Sequence, residues 1–507
     1  MIDTAALREK VLDLAIRGKL VPQDPNDEPA SVLLERIHEQ KLQMVREGKL
    51  KAKDVKDDTI IFKGDDNCYY EKYSDGSVKN IQDEIPFDLP DGWSWARGKN
   101  CFQEMKTRKP NGEEFVYIDI DAIDNKKNTI TNAKVLKVKD APSRACRYVE
   151  CGSVLFSLVR PYLKNIAFVE EKYASSIASS GFFVCTSTGV LYPRYSFYLM
   201  ISPYVVNGIN QFMKGDNSPS VSKGDIENWL YPIPPYNEQK QIVDCLNKTL
   251  IIIQNIRDTE NELQGEITLI KSKILELAIQ GKLVPQDEND EPASVLLERI
   301  RAERKAKLGK KYVESYIYKG DDNCYYENMP KNWVKCRLSD IADLERGITF
   351  SASAKETIKT KKNIACIRTA NVQDELDLDD LIYVDRAYTK NNERKLLRVG
   401  DIIMSSANSK ELVGKSCIVK HFDGEMTFGG FVLVIRSIQI IPEFLLICLK
   451  YLFLKGAFYN ESTQTTNIAN ISTKTIESLE ISLPPLMEQQ RIINKITTLF
   501  NILKDGV

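Results

Sequence analysis

The stretch of this chain that comes nearest to a catalytic motif is IPPY (233–236). Enzymes that act on an extruded base hold it by hydrogen bonds and by stacking. For an adenine methyltransferase the expected form is Asn or Asp, then Pro-Pro, then an aromatic. Here the leading residue is Ile233, whose side chain cannot accept a hydrogen bond from an exocyclic amine. The partner stretch LPPL (483–486) lacks the aromatic as well. Both run on into Glu-Gln and a helical pattern, so Pro-Pro reads as the end of a strand and the approach to a helix. No glycine-rich cofactor loop follows a strand pattern. The chain has two histidines, His38 and His421, which removes HExxH metallopeptidases and His-based triads. Both read as surface residues. Eleven cysteines, odd in number and without CxxC spacing, point to a reduced, cytoplasmic setting and away from zinc. The nearest pair, Cys146 and Cys151, reads as buried packing. No catalytic residue, metal ligand or cofactor is expected.

The chemistry that remains is charge. The net charge is −1 over 507 residues, yet four segments each carry a net +4. Segment 97–109 holds Arg97, Lys99, Lys106, Arg108 and Lys109 against Glu104. Segment 134–147 holds Lys134, Lys137, Lys139, Arg144 and Arg147 against Asp140. Segment 355–368 holds Lys355, Lys359, Lys361, Lys362 and Arg368 against Glu356. Segment 386–398 holds Arg386, Lys390, Arg394, Lys395 and Arg398 against Glu393. Taken singly, these are ordinary solvated loops. Taken together, they lie at matching places in two halves of the chain.

The elements that carry them are set by repeats. Residues 10–37 match residues 273–300 at 24 of 28 positions, and KGDDNCYYE occurs at 63–71 and again at 319–327. PPLMEQQRIINKI (484–496) aligns with PPYNEQKQIVDCL (234–246). From Ile242 a 3–4 alternation runs through Leu246, Thr249, Ile253, Ile256, Glu260, Leu263, Ile267, Ile270, Ile274 and Leu277. Nine of these eleven positions are apolar, the pattern of a coiled-coil seam. The helix should stop near Gly281, and a second should start at Pro292. One copy of this helical unit is central. The other is split between the C-terminus and the N-terminus. If the two ends meet, the chain closes into a pseudo-two-fold ring.

Between the helical regions lie two α+β modules of matching order. CGSVLFSL (151–158) parallels VGDIIMSS (399–406), and IPPYNEQKQI parallels LPPLMEQQRI. The expected domains are a helical region and linker (1–87), module one (88–235), a central helical region (236–328), module two (329–485) and a C-terminal helix pairing with the central one (486–507). The fold class is α+β, with long antiparallel coiled-coil helices separating two globular modules. Residues 51–87 read as polar and irregular. YSFYLMISPYVVNGINQF reads as one apolar helical stretch. No run of about 18 apolar residues exists, so no membrane span is expected.

LAIQGKLVPQ (277–286), its twin LAIRGKLVPQ (14–23), the two Pro-Pro module ends and the spacing of two divergent modules resemble the specificity subunits of Type I restriction–modification systems. The resemblance covers essentially the whole chain. It implies that each module is a target-recognition domain reading one half of a bipartite, asymmetric DNA site. It also implies that the helices space the modules and dock methyltransferase subunits, two in number, with restriction subunits joining the larger complex. The subunit itself would catalyse nothing.

Under that resemblance, phosphate contacts supply affinity and base edges supply specificity. Arg favours guanine, and Asn or Gln favours adenine. The candidate DNA-binding residues of module one are Lys106, Arg108, Lys109, Arg160, Lys164, Asn210, Gln211 and Asn217. Those of module two are Lys361, Lys362, Arg368, Asn408, Lys410, Gln464 and Asn467. The near-identical ASVLLERI stretches are read as one docking surface used twice: Leu33, Leu34 and Ile37, with Leu296, Leu297 and Ile300. Two other readings compete, a coiled-coil scaffold that binds proteins and a self-contained DNA adenine methyltransferase.

Overall fold

The computed structural model describes residues 2–49, 51, 55, 58–309, 329–390, 392–460, 463–465 and 468–505. The chain divides into two compact units, Met1–Glu260 and Asn261–Val507. The boundary falls inside one continuous 44-residue helix, Tyr236–Ile279.

In the first unit, helix Thr4–Ile16 starts under Asp3, whose carboxylate accepts from the Ala6 amide. Its buried residues Val11, Leu12, Ala15 and Ile16 share a core with Ile242, Val243, Leu246 and Ile253 of the long helix. The two segments run antiparallel. The Ile2 amide donates to Glu260 Oε1 at 2.8 Å, and Gln23 Nε2 reaches Glu238 Oε1 at 3.1 Å at the other end. Along the seam, Ile242, Leu246, Ile253 and Ile267 are buried, whereas Leu263 and Ile270 are exposed. The sequence pattern is therefore continuous and its burial is not.

Residues 51–87, expected to be irregular, contain a three-stranded antiparallel meander: Thr59–Lys63, Tyr69–Tyr73 and Val78–Asn80. Its apolar side is thin. Ile61 and Ile81 pack with Trp95 and Leu230, and the buried Glu71 carboxylate accepts from Thr59 Oγ1 (2.6 Å) and Arg97 Nη2 (2.8 Å). Few apolar residues are needed to hold it, so the composition looked like a linker. The second copy of its KGDDNCYYE stretch lies outside the described residues.

Strand Ser94–Arg97 pairs antiparallel with Leu230–Ile233, so the first and last strands close the module. Between them lies a four-stranded sheet, in the order Lys134–Lys137, Glu114–Ile118, Ile177–Ser179, Ala145–Tyr148. A three-stranded sheet, Ile166–Phe168, Val154–Ser157, Phe182–Cys185, completes the module. Tyr117 faces Ile177 in a parallel pair. The apolar stretch that follows splits into helices Pro193–Ile201 and Pro203–Asn210. Pro203 has no amide to continue the first helix, and Ser202 Oγ caps the second by accepting from Val205 N. Cys151 is exposed and Cys146 half-buried, which corrects the expectation of a buried pair.

The second unit repeats this order. Helix Ala293–Leu308 follows Pro292, strand Val334–Arg337 pairs with Glu480–Leu483, and Asn363–Ile367 lies parallel to Met426–Phe428. Ile402–Ser405 sits between Ser416–Ile418 and Val432–Ser437. Helix Leu486–Asp505 returns antiparallel to the end of the long helix. Lys271 Nζ lies 5.6 Å from the Phe500 ring centre, and Gln286 Nε2 donates to Glu488 Oε1 at 2.7 Å. At Gly347 a side chain has no room, because a Cβ would stand 2.2 Å from the carbonyl oxygens of Phe428 and Gly429. Gly347→Ala is expected to cost about 3 kcal/mol, since backbone cannot rotate away as a side chain would. Hydrogen exchange should show lost protection in 261–507 and unchanged protection in 1–260.

The residues most alike in the two halves form the same clasp in each. Trp93 Nε1 donates to Glu238 Oε2 and Trp333 Nε1 to Glu488 Oε2, both at 2.9 Å. Gln239 Oε1 accepts from Tyr192 N (2.6 Å) while its Nε2 donates to Pro234 O (3.0 Å). Gln489 repeats this with Ile441 N and Pro484 O, both at 3.1 Å. Gly18 and Gly281, at φ +66° and +67°, turn the chain where a Cβ would strike Pro90 and Pro330 respectively. Each clasp joins the loop after the first helix, the start of the module and the helix after it. Burial pushes the Glu238 and Glu488 carboxyls above their ordinary value, against the lowering effect of the hydrogen bonds they accept.

Candidate nucleic-acid interface

Each module brings the same two polar loops together through backbone pairing. In module one, Val159 bridges Ser220 and the Arg160 amide donates to Pro219 O at 2.8 Å. Arg160 Nη2 also donates to Asn217 O at 2.9 Å. In module two, Ala407 pairs with Asn470 and Asn408 with Ala469. The loop after the central strand is thus fixed against the loop before the last helix, and Arg160 is placed beside Asn217. Asn408 lies in the equivalent strip. Its Nδ2 donates to Ser405 Oγ and its Oδ1 accepts from Ser409 N, so its amide shapes the turn. Lys410 lies 4.1 Å from the Tyr459 ring centre, and a hydrogen bond with that phenol holds its ammonium above its ordinary value. Asn467 lies outside the described residues, and Gln464 belongs to strand Thr463–Thr465.

The second cluster of module one is a sheet edge. Arg108 N donates to Cys146 O and Tyr148 N to Lys106 O, which adds residues 106–108 beside strand Ala145–Tyr148. The Arg108 guanidinium stacks 5.1 Å from the Tyr148 ring centre, and Lys106 pairs with Glu150 at 2.5 Å. Lys109 is exposed and makes no ion pair among the described residues. In module two, Lys361 and Lys362 are exposed in the same sense, as is Lys359.

Several expected readers are committed elsewhere. Lys164 is paired to Glu9 of the first helix at 2.7 Å. Gln211 is exposed at the end of helix Pro203–Asn210, but the Oδ1 of Asn210 is buried without a partner. Arg368 is half-buried, and its Nη2 donates to Asp380 Oδ2 (2.6 Å) and Asp380 O (2.9 Å). It holds a turn together and presents little free charge. Arg368→Ala is therefore expected to cost about 1–3 kcal/mol of stability and to leave the salt dependence of DNA binding unchanged. A melting curve and a binding titration over salt check the two halves of that statement.

The six docking residues require correction. Leu33 and Ile37 are buried in the core of the first unit, with Leu34 packed against it. Leu296, Leu297 and Ile300 are buried in the core of the second. They seat each helix on its own module and are not available as an exposed docking face. The polar sides of the two helices are used differently. His38 and Lys41 converge on buried Asp58, at 3.5 and 3.1 Å. Arg301 and Arg304 instead reach Asp340 and Asp343, at 3.8 and 2.8 Å. His38 is thus an internal contact rather than a surface residue. The clasp residues Trp93, Glu238, Gln239 and their twins were not singled out as functional. Their signal was available, because they stand at the module edges in both copies.

Among the described residues, no helix is long and apolar enough to cross a membrane. Residues 330–506 match the family model described as the Type I restriction modification DNA specificity domain. The chain is 26% identical over 565 residues to the Type I restriction enzyme EcoEI specificity subunit of Escherichia coli, covering 98% of this chain and 89% of the relative. It is 27% identical over 553 residues to the EcoAI specificity subunit of the same organism, covering 97% and 88%. Its fold matches a chain solved in work on complex assembly and conformational transition of the type I R-M system. The TM-score is 0.58 at 24% identity, over 83% of this chain and 93% of that one.

Proposed function

We propose that this chain, a member of the Type I restriction–modification specificity-subunit family, reads a bipartite and asymmetric DNA site, one half with each module. It is the non-catalytic DNA-binding component of such a system. The observation that supports the bipartite reading is the contrast between clasps and loops. The clasps match residue for residue, whereas the paired loops of the two modules carry different side chains: Arg160 and Asn217 in one module, Asn408 and Lys410 in the other. Two modules of one fold with different reading edges specify two different half-sites. The exposed lysines at 359, 361 and 362 and the Arg108–Lys109 edge supply phosphate contacts, which position the protein without reading sequence.

The assembly follows from the same repeat. Helices Ala30–Arg46 and Ala293–Leu308 open with the same ASVLLERI stretch and diverge after it. Each is seated on its own module, and over the shared turns Val32, Glu35 and Arg36 are exposed in one as Val295, Glu298 and Arg299 are in the other. These shared turns take two methyltransferase subunits, and restriction subunits join that complex. The decisive experiment is methylome sequencing of cells carrying this chain with its cognate methyltransferase, and again with the chain deleted. A split adenine-methylated motif should disappear on deletion. Exchange of module one should change one half of the motif only. Unchanged methylation would place recognition elsewhere and favour a scaffold.

A further inference from the structure

One turn recurs in both modules with an apolar side chain held in solvent. In module one it runs from Arg160 to Lys164. Both ends are left-handed, at φ +47° and +56°, which is uncommon for residues other than glycine. Three hydrogen bonds from outside hold the backbone of this turn, and a fourth fixes Ile166 just beyond it. Asn125 Nδ2 donates to Leu163 O (2.9 Å), Asn128 Nδ2 to Lys164 O (3.2 Å) and to Ile166 O (3.1 Å), and the Arg160 amide to Pro219 O (2.8 Å). The turn nevertheless leaves Tyr162 46% and Leu163 40% exposed. In module two the corresponding turn can be aligned from the strand it closes. Ser157 N bonds Asn165 O in one module, and Ser405 N bonds Lys415 O in the other. Counting back, the left-handed Lys164 meets Gly414, at φ +86°, and Tyr162 meets Leu412, which is 42% exposed. The Cβ of a residue at 414 would stand 2.3 Å from the Phe458 ring, so this turn is also tightly seated.

In module one the left-handed Arg160 and Lys164 hold strained backbone, and in module two Gly414 takes the left-handed position without strain; in both, a fixed turn displays an apolar side chain from which packing within the chain gains nothing. A basic residue opens each turn, Arg160 in one and Lys410 in the other. In module one Arg160 of the turn bonds the polar loop directly, and in module two Ala407–Asn408, just before the turn, pair with Ala469–Asn470. Resting on the reading proposed above, we infer that Tyr162 and Leu412 are the apolar base contacts of their modules. Each presses against a base face or thymine methyl in its own half-site. Tyr162, with Leu163 beside it, has the size and the planar ring for a stacked or wedging contact. Leu412 offers a smaller one. Apolar side chains placed at base steps in this way contribute to recognition without adding charge.

The test uses the full chain with its methyltransferase partner, and a labelled duplex carrying the motif found by methylome sequencing. Competitor duplexes have one or the other half-site scrambled. Tyr162→Ala should weaken binding to the intact site about 10–100-fold and lose discrimination at one half-site only. Leu412→Ala should lose it at the other half-site. Tyr162→Phe should retain it. The slope of affinity against salt should stay unchanged in all three, since no phosphate contact is removed. Melting curves exclude misfolding. Discrimination within twofold of wild type in Tyr162→Ala and Leu412→Ala overturns the inference. So does loss of methyltransferase co-purification with discrimination intact, which would make the turn a protein contact. If the unmodified complex discriminates no half-site at all, it is the bipartite reading that fails.

Discussion

Glu238→Ala is expected to lower the stability of the first unit by about 2–5 kcal/mol. The substitution strands one buried donor, Trp93 Nε1, while the exposed Gln23 Nε2 keeps Gly18 O at 2.8 Å. Trp93 Nε1 and Gln23 Nε2 both give hydrogen bonds to this carboxylate, and the Trp93 side chain is buried. Each buried donor left unpaired costs about 1–3 kcal/mol, and the lost side-chain volume adds to that. For a unit of this size the melting point should fall by roughly 5–15 °C. Glu488→Ala should reproduce the loss in the second unit through the buried Trp333 indole. Glu238→Gln keeps an acceptor for the indole but sets an amide against the Gln23 amide, so it should lie between wild type and alanine. Its pH dependence is specific. The folded carboxyl titrates above the ordinary value of 4.5 because it is buried. The folded state therefore holds its proton more tightly than the unfolded state. That contribution is complete below the unfolded value and is lost as pH rises through the folded one. Across this window the glutamine variant should gain on wild type as pH rises. A pH-independent difference between the two proteins would show that the carboxyl is not held by burial.

Replacing Lys359, Lys361 and Lys362 together by glutamine is expected to weaken duplex binding on the order of 10²-fold near 0.1 M salt. All three are exposed and make no ion pair among the described residues, so the folded chain should lose little stability. Each phosphate contact removed lowers the log–log salt slope by about 0.9. A decrease of about 2–3 in that slope, with the ratio of specific to non-specific affinity little changed, would identify these lysines as backbone contacts. An unchanged slope would remove them from the interface. Arg368→Ala is the matched control, because that guanidinium is held by Asp380.

Neighbouring basic residues of one segment can have opposite fates in the fold. Lys361, Lys362 and Arg368 sit in one +4 segment, and nothing in that segment separates them. The separation comes from Asp380, twelve residues further on, whose position depends on a folded turn. The same limit explains the six leucines and isoleucines of ASVLLERI. An apolar helix face states that something covers it, and the sequence does not say whether a partner or the chain's own module does so. Repeats were more informative. The helix end near Gly281, the helix start after Pro292 and the strand before Pro-Pro were all legible, because glycine and proline constrain the backbone locally. The meander at 59–80 was not, because its core depends on Trp95 and Leu230 from distant segments.

The clasp also governs how the protein is made. Gln23 and its partner Glu238 are 215 residues apart, and Gln286 and Glu488 are 202 apart. At about 5–20 residues per second, a ribosome needs roughly 10–45 s to travel from one partner to the other. For that time the apolar side of helix Thr4–Ile16 has been synthesised and the helix that buries it has not. Each half of the nascent chain stays open until its last helix emerges. A transcript that ends before residue 238 yields a product with an unsealed core, prone to capture by chaperones and proteases.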